Sequence, residues 1–199
     1  MDWGLGFNPG ERHTYSTGVE SGNFILMPDT AHSAAFFLSC LRWMTNKYKL
    51  RQEEFVEFSP DAIKTFSEFR QFPDSNEAGG ILLGRVYPKS HVSVEVATKP
   101  HQLDKPGRDF FDRSRGPAQR IVNKAWKITF GERVYLGEWH THRQLNPVPS
   151  ARDRKMIRNM FHQTRMQIDF LLLIVVGIED WVGIENGISL KRLHPFLPE

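Results

Sequence analysis

Apolar and polar residues follow two distinct patterns along this chain, and each pattern predicts one kind of element. Apolar runs, or strict alternation of apolar and polar residues, predict β-strands. Such segments occur at Gly79 to Val86, His91 to Ala97, Val134 to Thr141 and Phe170 to Ile178, with two shorter strands near Trp181 and Leu190.

Helical spacing appears in three segments between these strands. Ser59 and Pro60 are a typical helix start, with an N-cap serine and a proline in the first helical position. A second helix is predicted from Ser114 to Thr129 and a third from Ser150 to about Thr164, whereas Lys99 to Arg113 is predicted to be a loop. The apolar face of the second helix is expected to consist of Ala118, Ile121, Val122, Ala125 and Trp126.

Strands and helices mixed in this order indicate an α/β (α+β) domain over residues 44–199, with a mixed β-sheet flanked by helices. Residues 1–43 lack strand or helix periodicity and are rich in glycine, so we expect a poorly ordered N-terminal extension. Met44 opens a polar stretch that looks like the natural beginning of a protein. One hypothesis is therefore that the first 43 residues come from a start assigned too early.

Composition narrows the class of protein. The chain has 199 residues, of which 40% are apolar and 25% charged, as is usual for a soluble globular protein. No apolar run approaches the ~20 residues of a membrane-spanning helix, and the first residues lack the basic cluster of a secretory signal. We therefore expect a cytoplasmic protein with no membrane partner. The single cysteine, Cys40, excludes an intrachain disulfide and any zinc knuckle built from paired cysteines.

Basic residues gather in two stretches, Arg113 to Lys127 and Arg152 to Arg165, although the net charge is only +3. Solvated helix faces explain these stretches better than nucleic-acid binding does. An acidic partner remains an open alternative.

The chemistry is concentrated between Glu138 and Asp153. Residues two apart on a strand share a face, so His140 and His142 can present two imidazoles to one metal ion. Ser150 begins the next helix, and Asp153 lies in its first turn, where it can point back at the end of the strand. Two histidines and one carboxylate are the three protein ligands typical of a catalytic zinc, which leaves a fourth position for water.

Each half of this pattern also has a simpler interpretation. Two histidines on a strand are often only a polar face, and Ser150 with Asp153 resembles a capping box that satisfies free N–H groups at a helix start. The combined spacing of all four residues is much harder to obtain by chance.

The pattern His140-x-His142, seven residues, then Ser150-x-x-Asp153 resembles the JAMM motif of JAB/MPN-domain metalloproteases at every defining position. The resemblance extends from about Glu53 to the C-terminus. It implies one Zn²⁺ per chain, held by His140, His142 and Asp153. It also implies a catalytic glutamate before a glycine-rich apolar strand, and Glu77 fits that place.

The prokaryotic branch of this family is the most similar. Arg113-Ser-Arg115, and the stretch from Tyr135 to His142 followed by Pro-x-Pro-Ser, resemble the deconjugating peptidase of bacterial antiphage (CBASS) operons. The resemblance implies an isopeptidase that cuts a ubiquitin-like C-terminus, expected to be that of a cyclic-oligonucleotide synthase, from its target. Arg143 departs from the common pattern, since proline is frequent at that position.

In the implied mechanism, zinc lowers the pKa of its water to about 7 and polarises the scissile carbonyl. Glu77 is expected to move the proton, and Ser150 to donate a hydrogen bond to the oxyanion. Glu138 is either an acceptor for a ligand N–H or a solvated or salt-bridged side chain. Trp139 is expected in the core.

Several rivals remain. The single cysteine excludes a zinc deaminase with a His/Cys/Cys site, and no HExxH helix is present. A deconjugase of a separate bacterial ubiquitin-like operon, a non-catalytic JAB/MPN scaffold and a JAB-like protein of nucleic-acid processing stay open.

Overall fold

The computed structural model describes residues 46–72, 74–166 and 168–196. The predictions for the first 43 residues and for Met44 lie outside these residues. No helix in the described ranges is long and apolar enough to cross a membrane.

A nine-stranded mixed sheet forms the centre of the described chain, in the order β10-β9-β8-β7-β3-β4-β2-β1-β11. Its strands are β1 (Lys47–Lys49), β2 (Phe55–Phe58), β3 (Gly79–Tyr87), β4 (His91–Ala97), β7 (Val134–Thr141), β8 (Leu171–Val176), β9 (Asp180–Glu185), β10 (Leu190–Arg192) and β11 (His194–Pro195). The β2–β4 and β7–β8 pairs are parallel, and the other pairs are antiparallel. The strands β5 (Lys105–Gly107) and β6 (Phe110–Asp112) form a separate hairpin.

Helices cover both faces of the sheet. On one face, α1 (Pro60–Glu68) packs through Phe66 against Trp139, with ring centroids 5.4 Å apart. On the other face lie α2 (Arg115–Ile128), which packs on β3 and β7, and α3 (Ala151–Gln163), which packs on β8 and β9. The partly buried ring of Tyr135 packs against the apolar clusters under both α2 and α3. The predicted α+β class, a mixed sheet flanked by helices, is confirmed.

A β-bulge at Gly137 decides which side chains of β7 face the functional end of the molecule. Gly137 has φ of +148°, and a Cβ at this position would overlap the Leu172 carbonyl oxygen. The register between β3 and β7 shifts beside it. Because of the extra residue, Leu136 and Trp139 share the core on the α1 face, while Tyr135 and Glu138 meet on the other face.

Two sequence-based expectations were wrong, and three strands were not predicted. The predicted loop from Lys99 to Arg113 contains the β5–β6 hairpin, whose strands are too short to show a period. Ile121 and Trp126 were assigned to the apolar face of α2 but are exposed, because α2 buries mainly Pro117, Ala118 and Ala125. The strands β1, β2 and β11, which lie together at one end of the sheet, were not predicted. Two of their pairings join segments that are distant in sequence, β1 with β11 and β2 with β4.

Candidate metal centre

Strand pairing brings Glu77 to the histidines. His140, near the end of β7, is paired with Gly79 at the start of β3. The backbone N–H of Thr141 donates to the Ala78 carbonyl at 2.9 Å, and the N–H of Ala78 donates to the Thr141 hydroxyl at 2.9 Å. Glu77 is thereby held beside His142, 65 positions away in the chain.

The three predicted metal ligands converge. One ligand atom from each of His140, His142 and Asp153 lies within 4.8 Å of the others. The Nε2 atoms of His140 and His142 lie 3.4 Å from Asp153 Oδ1 and Oδ2, respectively. All three side chains are largely buried.

The polar atoms of this cluster fit a zinc ion. His140 Nε2 is buried and has no hydrogen-bond partner, which is costly for a ring nitrogen unless a ligand completes it. Burial alone would raise the pKa of Asp153, but the adjacent His140 and His142 imidazoles outweigh burial and lower that pKa well below its usual range. An ionised carboxylate with two imidazoles is a donor set that suits Zn²⁺ without cysteine.

Glu77 adjoins the cluster without being one of its three members. Its side chain is 7% exposed, and its Oε1 lies 3.8 Å from His142 Nε2. Burial raises the pKa of Glu77 to about 7, although the nearby His142 acts in the opposite direction. A carboxyl group with a pKa near neutrality can both accept and return a proton.

Ser150 has the simpler role that the sequence also predicted. Its Oγ accepts a hydrogen bond from the Asp153 backbone N–H at 3.2 Å, and its own N–H donates to Asp153 Oδ2 at 2.7 Å. This reciprocal capping box begins α3 and orients the Asp153 carboxylate. In this cap Oγ is the acceptor, so the cap itself does not use the hydroxyl hydrogen.

The two residues that precede His140 in β7 are both buried. The Trp139 indole lies in the core, as predicted, and donates to the Thr98 carbonyl at 3.0 Å. Glu138 is salt-bridged: it accepts hydrogen bonds from Arg113 at 2.8, 2.8 and 3.1 Å and from the Tyr135 hydroxyl at 2.7 Å. The solvated alternative for Glu138 is wrong.

The sequence analysis did not identify Arg113 or Tyr135 as partners of Glu138 beside the candidate metal ligands. Arg113 precedes α2 and lies 25 positions from Glu138. Their contact depends on how α2 docks on the sheet, and the side-chain spacing gives no signal for it. The sequence shows that the two residues are a cation and an aromatic, but it does not show that Glu138 is their common partner.

Comparison with known proteins gives consistent matches. Residues 59–184 match the family model described as prokaryotic homologues of the JAB domain. A protein of Pseudomonas aeruginosa named CD-NTase/cGAS isopeptidase is 37% identical over 121 residues, which are 60% of this chain and 76% of that protein. A protein of the same name from Escherichia coli is 29% identical over 140 residues, which are 69% of this chain and 86% of that protein.

A solved structure shares the fold. The solution structure of a protein from Desulfitobacterium hafniense superimposes with a TM-score of 0.50 and 19% sequence identity. The match covers 72% of this chain and 93% of that chain, and at this identity it speaks for the fold alone.

Proposed function

This chain belongs to the prokaryotic homologues of the JAB domain, and we propose that it is a zinc-dependent isopeptidase that removes a ubiquitin-like conjugate from its target. Relatives named CD-NTase/cGAS isopeptidase support a hydrolase with a deconjugating role in antiphage defence. We assign the catalytic domain to residues 44–199, treat residues 1–43 as an extension, and place the protein in the cytoplasm.

One observation carries this proposal: three ligand atoms converge beside a buried glutamate. The unpartnered His140 Nε2 lies within the cluster of ligand atoms, and Glu77 stands 3.8 Å from His142. A non-catalytic scaffold has no need for a buried imidazole nitrogen without a partner or for a buried carboxyl group beside the ligand cluster. Metal-assisted hydrolysis uses the imidazole to hold the metal and the carboxyl group to move the proton.

The residues divide the chemistry among them. His140, His142 and Asp153 would hold one zinc ion, which, when bound, acidifies water and polarises the scissile carbonyl. Glu77 takes the proton of the attacking water and returns it to the departing amine. Ser150 donates a hydrogen bond to the carbonyl oxygen as that atom gains negative charge.

The substrate we propose is a CD-NTase joined through its C-terminus to a target amine. The names of the curated relatives support it. A conjugate of a separate bacterial ubiquitin-like operon is the second candidate, because the motif residues would act on the amide bond, which both conjugates have in common.

The test is cleavage of both conjugates by the wild-type chain and by Glu77→Ala. We expect Glu77→Ala to lose amide cleavage while it retains about one zinc per chain by elemental analysis, because Glu77 is not a ligand. His140→Ala should lose the metal as well. Glu53→Ala, which changes an exposed glutamate, is the matched control and should behave as the wild type.

Full cleavage by a clean preparation of Glu77→Ala would contradict the mechanism. A wild-type chain that binds zinc and cleaves neither conjugate would favour the scaffold. Cleavage of only the second conjugate would replace the CD-NTase as substrate.

A further inference from the structure

A groove of about 680 Å³ runs between α2 and α3, on the face of the sheet opposite α1. Its lining includes the apolar side chains Ile81, Val122, Val134, Met160, Met166 and Ile168. Trp126 also lines the groove and is 51% exposed, and Arg115 and Arg165 supply positive charge. An apolar groove with a basic lining therefore lies open beside the sheet.

The helices on both sides of this groove are strongly basic. Helix α2 has four basic residues and no acidic one, and the single acidic residue of α3 is Asp153, which belongs to the metal cluster. Arg113 is neutralised by Glu138. Arg115 and Arg165 are exposed and form no ion pair with any residue that the structure describes. The open groove thus has unbalanced positive charge on both sides.

The groove adjoins a second depression, of about 330 Å³, that is lined by His140 and Asp153. The two depressions share Arg113 and Met160 as lining residues. A polypeptide lying between α2 and α3 can therefore continue over Arg113 towards the metal ligands. No such path is needed for a helix face that is only solvated.

We propose that the groove between α2 and α3 binds a segment of the protein substrate in which acidic and apolar residues are interspersed, and directs the adjoining chain to the metal cluster. This inference rests on the proposed function and deepens it, since it identifies how the substrate is held. Acidic side chains would meet Arg115 and Arg165, and the planar guanidinium group binds carboxylates with two parallel hydrogen bonds. Apolar side chains would cover the methionines and aliphatic residues.

The lining favours a protein segment over single-stranded nucleic acid. Methionine, tryptophan and arginine are typical of protein interfaces, and methionine adapts to irregular apolar partners. Nucleic-acid grooves instead stack successive bases on several aromatic rings. Here the aromatic lining consists of Trp126 and the partly buried Tyr135.

The experiment measures binding without cleavage. A fluorescent peptide of alternating glutamate and leucine is titrated with the full chain and followed by fluorescence polarisation, beside a lysine–leucine peptide and a single-stranded DNA. We expect the acidic peptide to bind, with weaker binding at higher salt. In Arg115→Glu/Arg165→Glu, affinity should fall about tenfold or more, because two attractive contacts become repulsive.

A matched control keeps net charge equal. Lys49→Glu/Lys89→Glu makes the same change in total charge on exposed residues outside the groove lining, and it should bind the acidic peptide as the wild type does. Circular dichroism verifies that both double variants are folded. Trp126→Ala is a second variant, at an exposed position, and should weaken binding of the glutamate–leucine peptide more than that of polyglutamate.

The proposal is overturned if the acidic peptide does not bind at low salt, or if the control loses as much affinity as the arginine variant. Tighter binding of DNA through the same two arginines would assign the groove to nucleic acid instead. If the chain binds the acidic peptide but cleaves no conjugate, the binding role of the groove stands and only the proposed isopeptidase activity is refuted. Conjugate cleavage that is unaffected by both arginine substitutions would refute the groove alone.

Discussion

Replacing Arg113 with methionine should strongly destabilise the fold, because Glu138 would keep a buried negative charge with no cation to balance it. Glu138 is 5% exposed, and Arg113 donates three hydrogen bonds to it. Removal of one partner from a buried ion pair typically lowers the free energy of unfolding by about 3–5 kcal/mol. The hydrogen bond from Tyr135 offsets only part of that loss.

Replacing the other partner of the pair, Glu138, should lower the free energy of unfolding by less. In Glu138→Gln the amide can still accept hydrogen bonds from Arg113 and Tyr135, and the Arg113 side chain, 17% exposed, retains some contact with water. We expect a loss of about 1–2 kcal/mol. The double variant Arg113→Met/Glu138→Gln should be more stable than Arg113→Met alone, since it contains no unbalanced buried charge.

Urea denaturation of the four proteins measures this cycle. A coupling free energy of about 2 kcal/mol or more is expected. The matched control is Arg51→Met, which removes an exposed arginine 3.2 Å from Asp169 and should cost less than about 1 kcal/mol. A coupling below about 0.5 kcal/mol would refute the reasoning, because the pair would then behave as a surface salt bridge.

Three further predictions concern the cap, the bulge and a second buried carboxylate. Ser150→Ala should lower the free energy of unfolding by about 1 kcal/mol and Ser150→Gly by only a few tenths of a kcal/mol. Both variants should slow cleavage about a hundredfold if the hydroxyl binds the oxyanion. If the loss of activity instead followed the loss of stability, Ser150 would act only as a helix cap. Gly137→Ala should lower the free energy of unfolding, measured by urea denaturation, by at least about 3 kcal/mol. The reasons are the positive φ of Gly137 and the overlap of a Cβ with Leu172. An unchanged unfolding midpoint would argue against the bulge. Burial raises the pKa of Asp180 to about 7 despite Arg70, which lies 3.1 Å away. The folded state therefore binds this proton more tightly than the unfolded chain does. The contribution of Asp180 to stability is full below about pH 4 and is lost as the pH rises through about 7. The difference in unfolding free energy between wild type and Asp180→Asn, measured across that range, should follow this course, and a flat difference would contradict it.

Local spacing was sufficient to predict the elements that carry the site. The bounds of β4 and of β7 agree with the structure, and the serine caps of α1 and α3 lie where the sequence placed them. These features depend on neighbours within four residues, so they can be predicted from a single sequence. The joint spacing of His140, His142, Ser150 and Asp153 is local in the same sense, because one strand, one turn and one helix start connect all four residues.

Glu77 is the intermediate case. The family resemblance selected it, but nothing in its own surroundings distinguishes it from the other acidic residues of the chain. Pairing of β3 with β7 places it beside His142, and burial at that junction raises its pKa to about 7. The sequence contained the residue, and the sheet supplied its environment.

What the sequence determined by itself was the set of elements that carry the site and the residue types of the metal cluster, because periodicity, capping and motif spacing are local. Only the tertiary structure decided the Arg113–Glu138 pair, the exposure of Trp126 and the groove between α2 and α3. Each of these depends on where the helices dock on one face of the sheet. The docking position follows from the volumes of side chains that are distant in sequence, so no local pattern predicts it.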